Sequence, residues 1–209
     1  MRKIPGQVAQ LYAGLGMREG LYTKLRWKLC PYETIESYLP KKGVILDMGS
    51  GFGMLANYLI LKSTERQVVG IDSSLHRTKV AQSTIGKRPN IKFIKQNIMD
   101  FDLPECQSVV MSDFLHHLPD GFAQELFTRI YKNLGSNGLL IIQEVDKRPY
   151  WKYVTTLCID RILNLNQKII YRPASHWQTL LEQAGFSVET IPAHKGLPLS
   201  DVIFICQKP

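Results

Sequence analysis

An apolar run, Val44-Ile-Leu-Asp47, feeds straight into a turn with glycines at 49, 51 and 53, and a helical pattern through Met54, Leu55, Tyr58, Leu59 and Leu61 follows. Glycine lets backbone turn tightly, approach a ligand closely and start a helix hard against the preceding strand. A strand, a glycine turn and a helix in that order open a β-α-β unit, which commits the chain to a parallel sheet. The next segments keep to that plan. Residues 67–72 read as a second buried strand, 91–94 as a third, 108–111 as a fourth and 138–145 as a fifth. Ser73 or Ser74 is placed to cap the helix after the second strand, which runs to Thr84 with Gly86 as its stop. Residues 121–134 form the helix after the fourth strand. Continuous apolar strands alternating with helices indicate a sheet covered on both faces. The end of the chain departs from the pattern. Residues 173–184 are an amphipathic helix stopped by Gly185, and strands at 186–191 and 202–207 are joined through His194-Lys-Gly-Leu-Pro198. So short a link makes this last pair antiparallel.

At 209 residues, 44% hydrophobic and 21% charged, the chain has the size and composition of one globular domain. No apolar run approaches the ~18–20 residues of a bilayer span. Gln7, Gln10, Gly14 and the Arg18-Glu19 pair break up any apolar leader, so a cytoplasmic location is expected. Cys30, Cys106, Cys158 and Cys206 stand far apart without metal-ligand spacing, so they read as reduced thiols and no metal is expected. The net charge of +8 is concentrated. Residues 1–42 hold eight Lys/Arg against three Asp/Glu, and residues 147–172 hold six against one. Phosphate, a lipid headgroup or RNA would suit these segments, and so would plain solvent.

The glycine spacing carries chemistry. A dinucleotide site wants the third glycine one residue later than Gly53. Asp47, two residues before Gly49, would sit badly beside a pyrophosphate and well beside a cationic ligand. Asp72 ends the second strand nineteen residues after Gly53, where a carboxylate can accept both ribose hydroxyls; capping the next helix is its plain alternative. The turn Asp47-Met-Gly-Ser-Gly-Phe-Gly53 resembles motif I of the class I S-adenosylmethionine-dependent methyltransferases. The stretch Ser112-Asp113-Phe-Leu-His116-His117-Leu-Pro119 resembles the LHHL-P segment of small-molecule methyltransferases of the ubiquinone-pathway and related types. The likeness covers roughly residues 40–146. A fainter one, through Arg26-Trp-Lys-Leu-Cys-Pro31, is to methyltransferases of lipid- and polyene-type biosynthetic clusters.

This resemblance implies a Rossmann-like α/β sheet of seven strands in the order 3-2-1-4-5-7-6, with only the last strand antiparallel. It implies S-adenosylmethionine held by Asp47, Gly49, Ser50, Gly51, Gly53, Asp72 and Ser73. Asn97 and Ile98 would meet the adenine, with Asp100 the rival to Asn97, and Asp113 would lie on the same edge. The expected reaction is methyl transfer to an oxygen or carbon of a small, largely apolar, aromatic or lipid-like acceptor. His116 is the candidate base, against a packing role, and His117 is expected to point elsewhere. Residues 1–42 are expected as a helical cap over the cofactor side, with Leu21, Leu25 and Leu29 on one helical face. Residues 147–172 are expected as an inserted lid, where Trp151 and Tyr153 would offer flat surfaces and Lys147, Arg148 and Arg172 would hold an anionic group. The same segment suits peripheral contact with an anionic membrane. The alternatives are an RNA methyltransferase, an NAD-dependent oxidoreductase and a cofactor-binding protein without catalysis. No Asn-Pro-Pro-Tyr sequence follows the fourth strand, which argues against an amino-methylase, and no appended RNA-binding module points to nucleic acid.

Overall fold

The computed structural model describes residues 3–163, 170–193 and 199–209, and the side chains of all of these except 159–163. Three helices come first: α1 (Gly6–Leu11), α2 (Met17–Leu29) and α3 (Tyr32–Tyr38). The alternating core follows as β1 (Gly43–Met48), α4 (Met54–Lys62), β2 (Arg66–Asp72), α5 (Leu75–Ser83), β3 (Ile91–Lys95), β4 (Cys106–Ser112), α6 (Asp120–Asn133) and β5 (Leu134–Val145). Then come α7 (Tyr150–Leu163), α8 (Ala174–Gln183), β6 (Ser187–Pro192) and β7 (Asp201–Gln207).

The seven strands form one sheet in the order β3-β2-β1-β4-β5-β7-β6. The first five run parallel, and β7 is antiparallel to both β5 and β6, as the sequence leads one to expect. Successive residues of the central strands feed opposite cores. Leu46 and Met48 of β1 join a cluster with Phe127 of α6 and Trp177 of α8. Ile45 joins a second cluster with Leu55 and Leu59 of α4 and Trp27 of α2. Burial on both faces is why these strands are unbroken apolar runs.

Boundaries move by a residue or two, with one larger change. β5 begins at Leu134, because Leu134 pairs with Cys106 before a register shift brings Leu139 opposite Ser108. Ser74, not Ser73, caps α5 by accepting the N–H of Arg77 at 3.3 Å. The leucine face expected on α2 is corrected. The helix buries Thr23 and Trp27 and leaves Leu21 exposed, because the indole packs on Tyr32 and Tyr58 with ring centroids 5.4 and 5.1 Å away. The link 194–198 and part of the expected lid, residues 164–169, lie outside the described residues. No helix among the described residues is long and apolar enough to cross a membrane.

Two buried polar anchors fasten the N-terminal helices to the sheet. Arg66 is fully buried and donates to the carbonyls of Leu39, Pro40 and Leu59 while pairing with Glu36 at 2.9 Å. Asn57, also fully buried, has its Nδ2 within 2.9 Å of the Tyr12 hydroxyl and 2.8 Å of Thr84 Oγ1, and its Oδ1 accepts from Arg88. Tyr12 in turn donates to the carbonyl of Phe52, in the glycine turn. Removing a buried partner leaves the others without compensation, at about 1–3 kcal/mol for each orphaned group. Asn57→Ala is therefore expected to lower the urea midpoint by the equivalent of about 2–3 kcal/mol with an unchanged m-value, as read by chemical denaturation.

Candidate functional site

The C-terminal ends of β1, β2 and β4, where an open α/β sheet gathers its ligands, enclose a cavity of about 450 Å³. Asp47 stands at the end of β1. Its carboxylate is buried and lines this cavity, yet its Oδ2 has no hydrogen-bond partner among the described residues. Burial pushes its pKa up to about 7, helped by the nearby charge of Asp72 and opposed by the backbone N–H of Ala56 at the start of α4. A buried, unpartnered acceptor facing a cavity is matched by a cationic donor.

Gly49, Ser50 and Gly51 of the following turn line the same space. The three glycines do different work. A Cβ at Gly53 would meet the Phe93 ring at 2.4 Å, and Gly53 is not among the cavity-lining residues, so it serves the fold. A Cβ at Gly51, which lines the cavity, would meet nothing within 4 Å. Asp72 does not cap α5, a part taken by Ser74, but ties the turns on either side of the cavity edge together. It lines the cavity, its Oδ1 accepts the N–H of Ser74 at 2.8 Å, and its Oδ2 accepts the N–H of Gly51 at 2.9 Å. The glycine turn is thus fixed to the start of α5.

Ser73, Asn97 and Ile98 also face the cavity. Asn97 caps a single 3-10 turn by accepting the N–H of Met99 at 3.1 Å; Asp100, its rival, does not reach the cavity. Asp113 lies on the cavity wall after β4 with φ of 57°, a left-handed conformation seldom adopted without glycine. An ion pair with Arg26 of α2 holds it there. Burial would raise its pKa, but the Arg26 guanidinium and His116 bring it down to about 2.

The two histidines exchange their expected places. His116 is buried, with Nδ1 2.8 Å from Glu144 of β5 and its backbone N–H on the other oxygen of that carboxylate at 3.1 Å. It does not line the cavity, whereas His117 does, with its ring 4.1 Å from that of His116. The cause is Glu144, which holds His116 through both its ring and its backbone N–H and so leaves His117 on the cavity side. Asp113, His116 and Glu144 each bring one donor atom within 4.8 Å of the others, but the positive charge on this set is already supplied by Arg26.

The aromatic and basic groups expected to meet the acceptor after β5 do not line this cavity. Trp151 is 61% exposed and does not line the cavity. Tyr153 packs on Tyr171, which packs on His116. Arg172 is engaged by Asp120 and lies 4.9 Å over the Trp177 ring. The aromatic and basic lining of the cavity comes instead from Tyr22, Arg26 and Tyr32 of the N-terminal helices, together with Phe114 and His117. The run from Arg26 to Pro31, followed by Tyr32, was the signal for them.

A family model described as a methyltransferase domain matches residues 22–191. Carboxy-S-adenosyl-L-methionine synthase of Campylobacter jejuni subsp. doylei is 29% identical over 141 residues, covering 66% of this chain and 58% of the relative. The same-named protein of Ruthia magnifica is 30% identical over 101 residues, 47% of this chain and 43% of that one. The matches thus span 58% and 43% of the lengths of these two relatives. Among solved structures, human N-acetylserotonin methyltransferase in complex with S-adenosylmethionine superposes with a TM-score of 0.71 at 19% identity, covering 98% of this chain and 60% of that one. Magnesium protoporphyrin IX methyltransferase from Synechocystis, with bound S-adenosylhomocysteine, gives 0.72 at 16% identity over 97% and 93%. At such identities the likeness is one of fold.

The glycines separate ligand space from folding. Gly51→Ala is expected to cost about 1–2 kcal/mol of stability for its left-handed φ and to remove S-adenosylhomocysteine binding in calorimetry. Gly53→Ala is expected to destabilise by more than that, because Phe93 must move.

Proposed function

From the premise that the chain belongs to the methyltransferase-domain family, whose class I fold and S-adenosylmethionine cofactor it shares, we propose that it methylates an oxygen or carbon of a small, largely apolar acceptor. The observation that carries this reading is the buried Asp47 carboxylate, whose Oδ2 has no partner among the described residues, in a cavity of about 450 Å³ that Gly51 also lines. Such a volume admits a cofactor together with a small second substrate.

When bound, S-adenosylmethionine supplies a methyl carbon made electrophilic by its sulfonium. The chain's own residues bind, orient and exclude water. Asp47 takes the ammonium group of the methionyl part, and Asp72 takes the ribose hydroxyls with lone pairs left over from its two backbone bonds. Asn97 and Ile98 form the wall for the adenine. Arg26, paired with Asp113, ties α2 across the cavity, so the acceptor lies between that helix and His117. Alignment and exclusion of water give most of the acceleration in such a transfer. For a hydroxyl acceptor, His117 accepts the proton, with His116 fixed at its flank by Glu144.

The test is incubation with S-adenosylmethionine in separate arms containing a panel of phenols, quinones and lipids, RNA, or small carboxylic acids as carboxyl donors, with the cofactor and acceptor products read by mass spectrometry. S-adenosylhomocysteine with a methylated acceptor is the expected outcome. A carboxylated cofactor would move the chain to the chemistry named for its Campylobacter relatives, methylated RNA would replace the acceptor class, and an unchanged cofactor throughout would leave a binding protein. With the acceptor found, His117→Ala is expected to lower kcat by about 10²–10⁴-fold, the usual reach of a general base, and to leave S-adenosylhomocysteine affinity unchanged.

A further inference from the structure

The large apolar side chains that face solvent are unevenly distributed. Leu75 starts α5, Phe122 sits in the first turn of α6, and Tyr150 and Trp151 start α7, so all four follow the C-terminal ends of parallel strands. Met17 and Leu21 lie on α2, and that helix belongs to the same edge. Glu19 is 3.4 Å from His76 of α5, Tyr22 packs on Phe52 of the glycine turn, and Arg26 pairs with Asp113 after β4. Of the exposed large hydrophobics among the described residues, only Tyr38 lies away from the edge that carries the cavity.

The two helices there have outward faces of one kind. Met17, Leu21, Lys24 and Lys28 recur at helical spacing on the solvent side of α2, where Met17 is 90% and Leu21 67% exposed. On α7, Tyr150, Trp151 and Val154 face out together, preceded by exposed Lys147 and Arg148, with Lys152 lying over the Trp151 ring. Neither stripe contains a carboxylate. The acidic groups nearby are engaged: Glu19 with His76, Asp120 with Arg172 and His176, and Asp146 with the N–H groups of Lys147 and Ala174. Apolar side chains interleaved with unpaired lysine and arginine, with tryptophan and tyrosine at the boundary, match the chemistry of a bilayer interface. A water-facing helix normally shows the opposite distribution.

We propose that this edge docks on an anionic lipid bilayer, with α2 and α7 lying in the headgroup layer and the cavity opening toward the membrane. The Lys24 and Lys28 stems run along the surface while their ammonium groups meet lipid phosphate or carboxylate, and Leu21 and Trp151 enter the acyl boundary. The proposal rests on the reading of the cavity as a methyltransferase site with an apolar acceptor, and it names where that acceptor is met: in the lipid phase.

Co-sedimentation with vesicles tests it. The chain is expected to pellet with phosphatidylcholine vesicles containing about 30 mol% phosphatidylserine at low salt and to be released as NaCl approaches about 0.5 M, where the Debye length is only a few ångströms. Pure phosphatidylcholine vesicles should bind it weakly. Replacing Lys24 and Lys28 by Gln should weaken binding about fivefold per residue. The pair Leu21→Glu and Trp151→Glu should abolish it. S-adenosylhomocysteine affinity, measured without vesicles, should be the same for all variants, which separates loss of docking from failure of the cofactor site. Absence of binding to the anionic vesicles, or unchanged binding in the Glu pair, overturns the proposal. A dimer in sedimentation analysis that Leu21→Glu dissolves, without vesicle binding, would give the face to a second copy and overturn it equally.

Discussion

A half-satisfied carboxylate buried at the end of β1 is the constraint around which the site is arranged. Asp47 sits where the strand must be apolar to stay inside the sheet, and its Oδ2 has no hydrogen-bond partner among the described residues. The cost of such a charge is avoided by protonation in the free protein and offset when something positive enters the cavity. The glycine turn lines that space at Gly51, and Asp72 holds the turn in place through the Gly51 N–H. In the ligand-free state, a carboxyl with its pKa raised to about 7 adds stability that is complete below its ordinary value of 3.8 and lost as pH rises through about 7. A bound ammonium group would reverse that preference.

The N-terminal helices complete the site and are fixed to it. Arg66 gathers the carbonyls of Leu39 and Pro40, and Asn57 joins Tyr12 to α5, so α1 and α3 are seated on the sheet by buried polar contacts. From this base α2 crosses the cavity and pairs Arg26 with Asp113, whose left-handed backbone is held by that contact. The same crossing gives the protein a mouth with an apolar and basic rim.

Much of this was legible in the chain. The buried strands follow from unbroken apolar runs, since a parallel sheet covered on both faces demands them, and the antiparallel β7 from its short link to β6, while the strand order came with the family resemblance. Asp47 and Asp72 could be placed because each ends a strand beside the glycine turn. The histidines could not be sorted, because the choice between two adjacent side chains was made by Glu144, which lies 28 residues from His116. Arg26 was hidden in the same way, with its partner Asp113 87 residues further on. The leucine face of α2 misled because spacing does not weigh size, and the indole of Trp27 took the buried side.

The central claim is that Asp47 receives a cation. S-adenosylhomocysteine affinity measured by calorimetry from about pH 5.5 to 8 tests it directly, since binding must ionise a carboxyl that is protonated below about pH 7 in the free protein. The account predicts that affinity rises with pH, approaching tenfold per unit well below pH 7, levels off above it, and becomes weak and flat in Asp47→Asn. An affinity independent of pH across that range, or an Asp47→Asn variant that binds as tightly as the unaltered chain, would contradict it.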